Sequence, residues 1–164
     1  MRGAILLYSG AAAFVALCAG ASLAGATSVV PGSSGTKETL RLKAVVTEHH
    51  QVDVGSTGAG AGDYFVRSAT IYKDGERIGV SGVQCTAVSV EYHPSVGTQC
   101  IGTLNLDEGR VAFQSLNFAT GGPPKENDAA ITGGTGKYSS VRGHMEIVRE
   151  SADHETVTLH FQRG

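Results

Sequence analysis

From Thr39 onward, apolar and polar positions follow a period of two. Leu40, Leu42, Ala44 and Val46 alternate with Arg41, Lys43, Val45 and Thr47, the pattern of a strand with one buried face. The glycine-rich run 55–62 predicts a loop, and the β-branched and aromatic run 63–73 a second strand. Asp74-Gly75 follows at once, the dipeptide that best signals a tight hairpin. A long third strand is predicted over 77–92, with Gly79 and Gly82 permitting bends. His93-Pro94-Ser95-Val96-Gly97 is a turn into a fourth strand over 98–106, and Asp107-Glu108-Gly109 is a turn into a fifth over 110–118. Gly121-Gly122-Pro123-Pro124 marks a longer loop. Strands over 129–132, 145–150 and 156–161 complete a count of eight. No amphipathic helix is predicted after residue 26.

Eight antiparallel strands joined by short turns close naturally into a small barrel, which removes exposed edges. The interior of such a barrel is filled by side chains or holds one small ligand. A two-sheet sandwich is the alternative, and the hairpin-after-hairpin order favours the barrel.

The front of the chain has a different character. After Arg2 nothing charged appears until Lys37, and the run 4–24 is dominated by Ala, Leu, Val and Ile. Ala24-Gly25-Ala26 offers small residues where a signal peptidase cuts, so residues 1–26 are expected to be a signal peptide cleaved after Ala26, leaving a secreted, extracellular protein with no membrane attachment. An uncleaved membrane anchor competes, because the uncharged run is long enough to span. So does a lipid anchor on Cys18, although Leu17 stands where a small residue is expected. Residues 27–38, rich in Ser and Gly with Pro31, are expected to form a flexible leader, and residues 39–164 the folded domain.

Removing 26 of the 164 residues leaves 138, with two cysteines, Cys85 and Cys100. An even count in an exported chain predicts a disulfide. Two buried free thiols and a reactive catalytic cysteine are the other readings. The whole chain carries 13 Lys+Arg against 15 Asp+Glu, a net charge of −2, which excludes a general basic surface for nucleic acid.

Candidate chemistry is sparse. The glycine cluster in Ile131-Thr132-Gly133-Gly134-Thr135-Gly136-Lys137-Tyr138 has neither Walker nor G-x-G-x-x-G spacing and precedes no predicted helix, so it reads as a barrel corner rather than a phosphate loop. The Gly58, Gly60, Gly62 cluster fails as a nucleotide loop for the same reasons. His49 and His50 are adjacent and point to opposite faces of a strand. His144, His154 and His160 match no metal-ligand spacing, so neither a metal nor a cofactor is expected. Glu48, near the end of the first strand, is the acid best placed for a barrel mouth, where a carboxylate can act as a base or orient a ligand.

The run Ile131–Ile147 (ITGGTGKYSSVRGHMEI) resembles the glycine-rich stretch shared by allene oxide cyclases and dirigent proteins. Gly62-Asp63, Ile71-Tyr72, Arg77-Ile78-Gly79, Gly82 and Cys85 follow the cyclase pattern in the same order, so the resemblance spans most of residues 39–161. It implies an eight-stranded barrel with an apolar cavity open at one end. Dirigent proteins steer radical coupling, allene oxide cyclases fold a reactive epoxide, and bacterial barrels of similar build steer cyclisations in polyketide assembly. Plant relatives form trimers, which leaves a homo-oligomer open here. The plant cyclase site is not carried over: no proline lies between Thr36 and Pro94, Ala69 falls at the family asparagine, Asn117 falls at the family tyrosine, and Glu48 matches a family glutamate only approximately.

The function expected is an exported barrel that binds a small apolar molecule in its lumen, as an isomerase or cyclase of dirigent-like kind. A non-catalytic, lipocalin-like carrier or a merely structural barrel is the alternative. Tyr64, Val66, Ile71, Phe113 and Phe118 are the large groups expected to touch the ligand.

Overall fold

The structure is a computed structural model that describes residues 36–89, 95–120 and 124–163, with the side chains of Ser89, Ser95, Thr120 and Arg163 also left aside. The expected signal peptide, most of the leader, the His93-Pro94 turn and Gly121–Pro123 lie outside the described residues. Eight strands form one closed antiparallel barrel in chain order. They are β1 (Thr36–Val52), β2 (Tyr64–Lys73), β3 (Glu76–Ser89), β4 (Ser95–Leu106), β5 (Gly109–Thr120), β6 (Glu126–Gly134), β7 (Val141–Arg149) and β8 (His154–Arg163). β8 pairs back onto β1 from Thr36↔Arg163 to Val45↔His154, and this closes the cylinder. β1 therefore begins three residues before the expected domain edge, because Thr36–Glu38 find partners in β8.

The two ends of the barrel are built differently. At one end the connections are tight. Asp74 and Gly75 both have positive φ (51° and 86°), as a two-residue turn matched to strand twist requires. At the same end a short 3-10 turn, Gly136–Tyr138, folds inward and buries Tyr138, which meets Phe161 edge-on at 6.1 Å between centroids. Leu40, Leu42, Leu106, Val111, Val141, Leu159 and Phe161 belong to the same buried cluster and none of them lines the cavity, so this end is an apolar plug. The other end carries the eleven-residue loop 53–63 between β1 and β2 and the connection 150–153 between β7 and β8.

Glycines let the interior close where backbone and ring come near. Gly102 sits opposite Phe113, whose ring covers it so closely that a Cβ would lie 2.4 Å from the ring tip. Gly143 has φ +152°, and a Cβ there would lie 1.9 Å from the carbonyl oxygen of His160. Gly143→Ala is expected to cost about 2 kcal/mol or more, from strain plus the clash. Urea unfolding checks this, and an unchanged midpoint would contradict it.

Candidate functional site

Above the plug the barrel is hollow. Its lumen measures about 590 Å³ and opens at the end that carries the 53–63 loop. That volume suits a small organic ligand. The lower wall is apolar, with Ala44, Ala69, Ile71, Val83, Leu104, Phe113, Met145 and Val157. The upper wall is mixed, with polar His49, Gln51, Thr98, Ser115, Asn117 and Asn127 beside apolar Phe65, Ala119, Pro124 and Ala152.

Between these zones lies a charged bridge. Arg67 on β2 donates two parallel hydrogen bonds to Glu155 on β8, each 2.7 Å, and Arg149 on β7 approaches the same carboxylate at 3.5 Å. β1 runs between β2 and β8. Its inward residues there, Ala44 and Val46, are small enough to let the arginine reach across them. Glu155 is 4% exposed and is the only buried charged residue among those described. A carboxylate so enclosed needs its partners, since an unpaired buried charge costs several kcal/mol.

Further round the wall, Cys85 and Cys100 face each other across β3 and β4 and form a disulfide. Such a bond fits an oxidising, extracellular setting. It does not withdraw the cysteines from the lumen: both line it, and the Asn117 amide lies 3.9 Å from the Cys100 sulfur while donating to Ser115 Oγ at 3.0 Å. Reduction of this 15-residue link, or Cys85→Ser with Cys100→Ser, is expected to cost about 3 kcal/mol, measurable as an earlier unfolding midpoint. No shift would contradict it.

At the rim His49 meets Phe65 edge-on at 5.4 Å. The glycine-rich loop beside them is ordered by Asp63, whose carboxylate accepts from the Val54 and Gly60 N–H groups, each at 2.8 Å. These backbone bonds, that from Val54 first, hold the Asp63 carboxyl below its ordinary range. The run 55–62 is thus a loop, as expected, held in shape by the Asp63 side chain.

Of the residues picked from the sequence, Ile71 and Phe113 are on the lumen wall, 0% and 6% exposed. The others point elsewhere. Glu48 is displaced by a bulge: Val46 pairs with Ala69 and Glu48 with Ser68, so one extra residue reverses the alternation, sending His49 inward and leaving Glu48 exposed. Tyr64 and Val66 are off-phase with Ile71, and the wall positions of β2 are Phe65, Arg67, Ala69 and Ile71. Val66 instead lines a shallow, open depression on the outer face with Ile101 and Gln114. Phe118 is off-phase with Phe113 on a strand whose pairing with β4 is unbroken, and it is 56% exposed outside. The groups missed by sequence reasoning are Arg67, Arg149 and Glu155. Strict alternation from Ile71 would have found Arg67, but a charge on an inward position of an otherwise apolar strand reads as the solvent face.

The histidines also differ from expectation in one respect. Spacing along the chain hid a cluster that strand pairing creates: His144, Glu146 and His160 bring their ligand atoms within 4.8 Å of one another on the outer face.

No known protein family and no curated protein matches the chain. Solved structures do. A pyocyanin demethylase is 28% identical, with a TM-score of 0.66 over 76% of this chain and 100% of its own. The pterocarpan synthase dirigent protein GePTS1 is 16% identical, with a TM-score of 0.61 over 84% of this chain and 95% of its own. The Diels–Alderase AbmU from Streptomyces koyangensis is 15% identical, with a TM-score of 0.61 over 77% of this chain and 64% of its own. The barrel inferred from strand pattern and motif resemblance is therefore the one observed, and this chain shares its fold with dirigent proteins and Diels–Alderases.

Proposed function

We propose that the barrel is a small-molecule enzyme whose lumen takes a compact, largely apolar, ring-bearing substrate through the open end. The observation that carries this reading is the buried Arg67–Glu155–Arg149 bridge, set directly above the apolar lower wall of the cavity. A wall that only filled a core would have no use for three charged groups. A wall that only held a greasy cargo would be better served by apolar ones. The apolar lower wall packs the rings. The guanidinium groups and the Asn117 amide meet the substrate's polar edge, and the Glu155 carboxylate is available to stabilise positive charge or to accept a proton there. Enclosure keeps water off the reacting atoms and fixes one substrate pose.

The similarity to a pyocyanin demethylase, which takes in the whole of that chain, supports a substrate of pyocyanin's kind and a demethylation in which the N-methyl carbon leaves as formaldehyde, the phenazine ring itself taking up the two electrons and one water admitted through the open end supplying the oxygen. The second reading is a stereo-controlled cyclisation or coupling of isomerase type. It is favoured by the one-ended apolar lumen, which would fold a flexible substrate against the plug.

Incubation of the purified protein with pyocyanin, followed by visible absorbance and product mass, tests the proposal. Saturable binding with loss of the methyl group supports the first reading. Saturable binding with pyocyanin unchanged directs the test to cyclisable substrates, and binding without conversion of any of them establishes the carrier instead. Absence of binding by pyocyanin and by a panel of small apolar ring compounds overturns the proposal.

A further inference from the structure

We infer that His144, Glu146 and His160 form a binding site for a divalent transition-metal ion on the outer face of β7 and β8, separate from the lumen. Register builds it. His144 and Glu146 are two residues apart on β7 and so project from the same face, while His160 on β8 lies directly opposite His144. The two imidazoles stack at 5.0 Å between centroids. The three ligand atoms lie within 4.8 Å of one another, and side-chain rotation at the exposed His144 and Glu146 suffices to close them on one ion.

The surroundings of His160 suit a ligand. Its Nε2 is buried, has no hydrogen-bond partner among the described residues and lies 3.6 Å from Glu146 Oε1. On the other side of the ring, Nδ1 lies 3.4 Å from Thr39 Oγ1, whose hydroxyl can donate or accept. Binding an ion through Nε2 selects the tautomer with Nδ1 protonated, and Thr39 is then the outer group that accepts its hydrogen bond and orients the ring. Asp128, paired with Glu146 across β6 and β7, adds negative charge nearby, while the Arg142 guanidinium is turned to the Val141 carbonyl. Two imidazoles and one carboxylate suit Zn²⁺, Co²⁺ or Ni²⁺ and leave a coordination position for water or a further ligand.

Calorimetric titration of untagged, chelator-treated protein with Zn²⁺ is the test, with Co²⁺ absorption as a second readout of ligand geometry. One ion per chain is expected. His144→Ala and His160→Ala should each weaken binding on the order of 100-fold and the conservative Glu146→Gln roughly tenfold, whereas His50→Ala should leave it unchanged. Circular dichroism of each zinc-free variant separates ligand loss from unfolding, and Glu146→Gln, at an exposed position, keeps the test open if a histidine variant misfolds. Absence of saturable binding, or undiminished binding in folded His144→Ala, His160→Ala and Glu146→Gln proteins, would overturn the assignment whatever the lumen binds.

Discussion

Arg67→Met is expected to destabilise the barrel by about 3 kcal/mol, lowering its melting temperature by roughly 10 °C. The reason is the partner left behind. Glu155 is buried, and without the two 2.7 Å bonds from Arg67 the charged partner it keeps among the described residues is Arg149, at 3.5 Å. Desolvation of that carboxylate by the surrounding wall would then be poorly offset, with water from the lumen recovering only part of the lost interaction. Arg67→Met combined with Glu155→Leu should be more stable than Arg67→Met alone, since the double change removes the stranded charge along with its partner. A double variant no more stable than the single one would mean that the bridge is not what makes Arg67 necessary.

The second large effect concerns the lumen itself. Ser115→Trp should reduce ligand affinity on the order of 100-fold or more while leaving the fold intact, because an indole at this half-buried wall position projects into the space a ligand would fill. The plug lies below it and is not disturbed. Asn117 loses one acceptor but still borders the cavity, so the stability cost should stay near 1 kcal/mol. Leu116→Trp, on the exposed outer face of the same strand, is the control and should bind as the parent does. Equal weakening by both would locate binding outside the barrel.

Much of this architecture was legible because hairpin chemistry is local. Asp74-Gly75, Asp107-Glu108-Gly109 and the alternation Leu40, Leu42, Ala44 each state their structure within a few residues. The closure of β8 onto β1 followed from hairpin order. The even cysteine count anticipated the disulfide, whose two members prove to be directly opposed on β3 and β4. The wall was harder to read, for reasons of parity. One extra residue at the β1 bulge is enough to turn Glu48 out and His49 in, and nothing in the sequence Val46-Thr47-Glu48 announces it. Choosing large apolar groups regardless of phase also mixed the two faces of β2 and of β5. The charged bridge and the outer histidine cluster are both products of pairing between strands far apart in sequence. Arg67 and Glu155 are 88 positions apart, and only closure of the barrel brings them together.

Binding of a ligand inside the lumen is the premise of the proposed function. The most direct measurement is a methyl-labelled NMR titration with pyocyanin. It is expected to move the signals of Ala44, Ala69, Ile71, Val83, Met145 and Val157, which line the cavity, and to leave those of Val80, Ile101 and Leu116 on the outside in place. Shifts confined to the outer set would contradict the account.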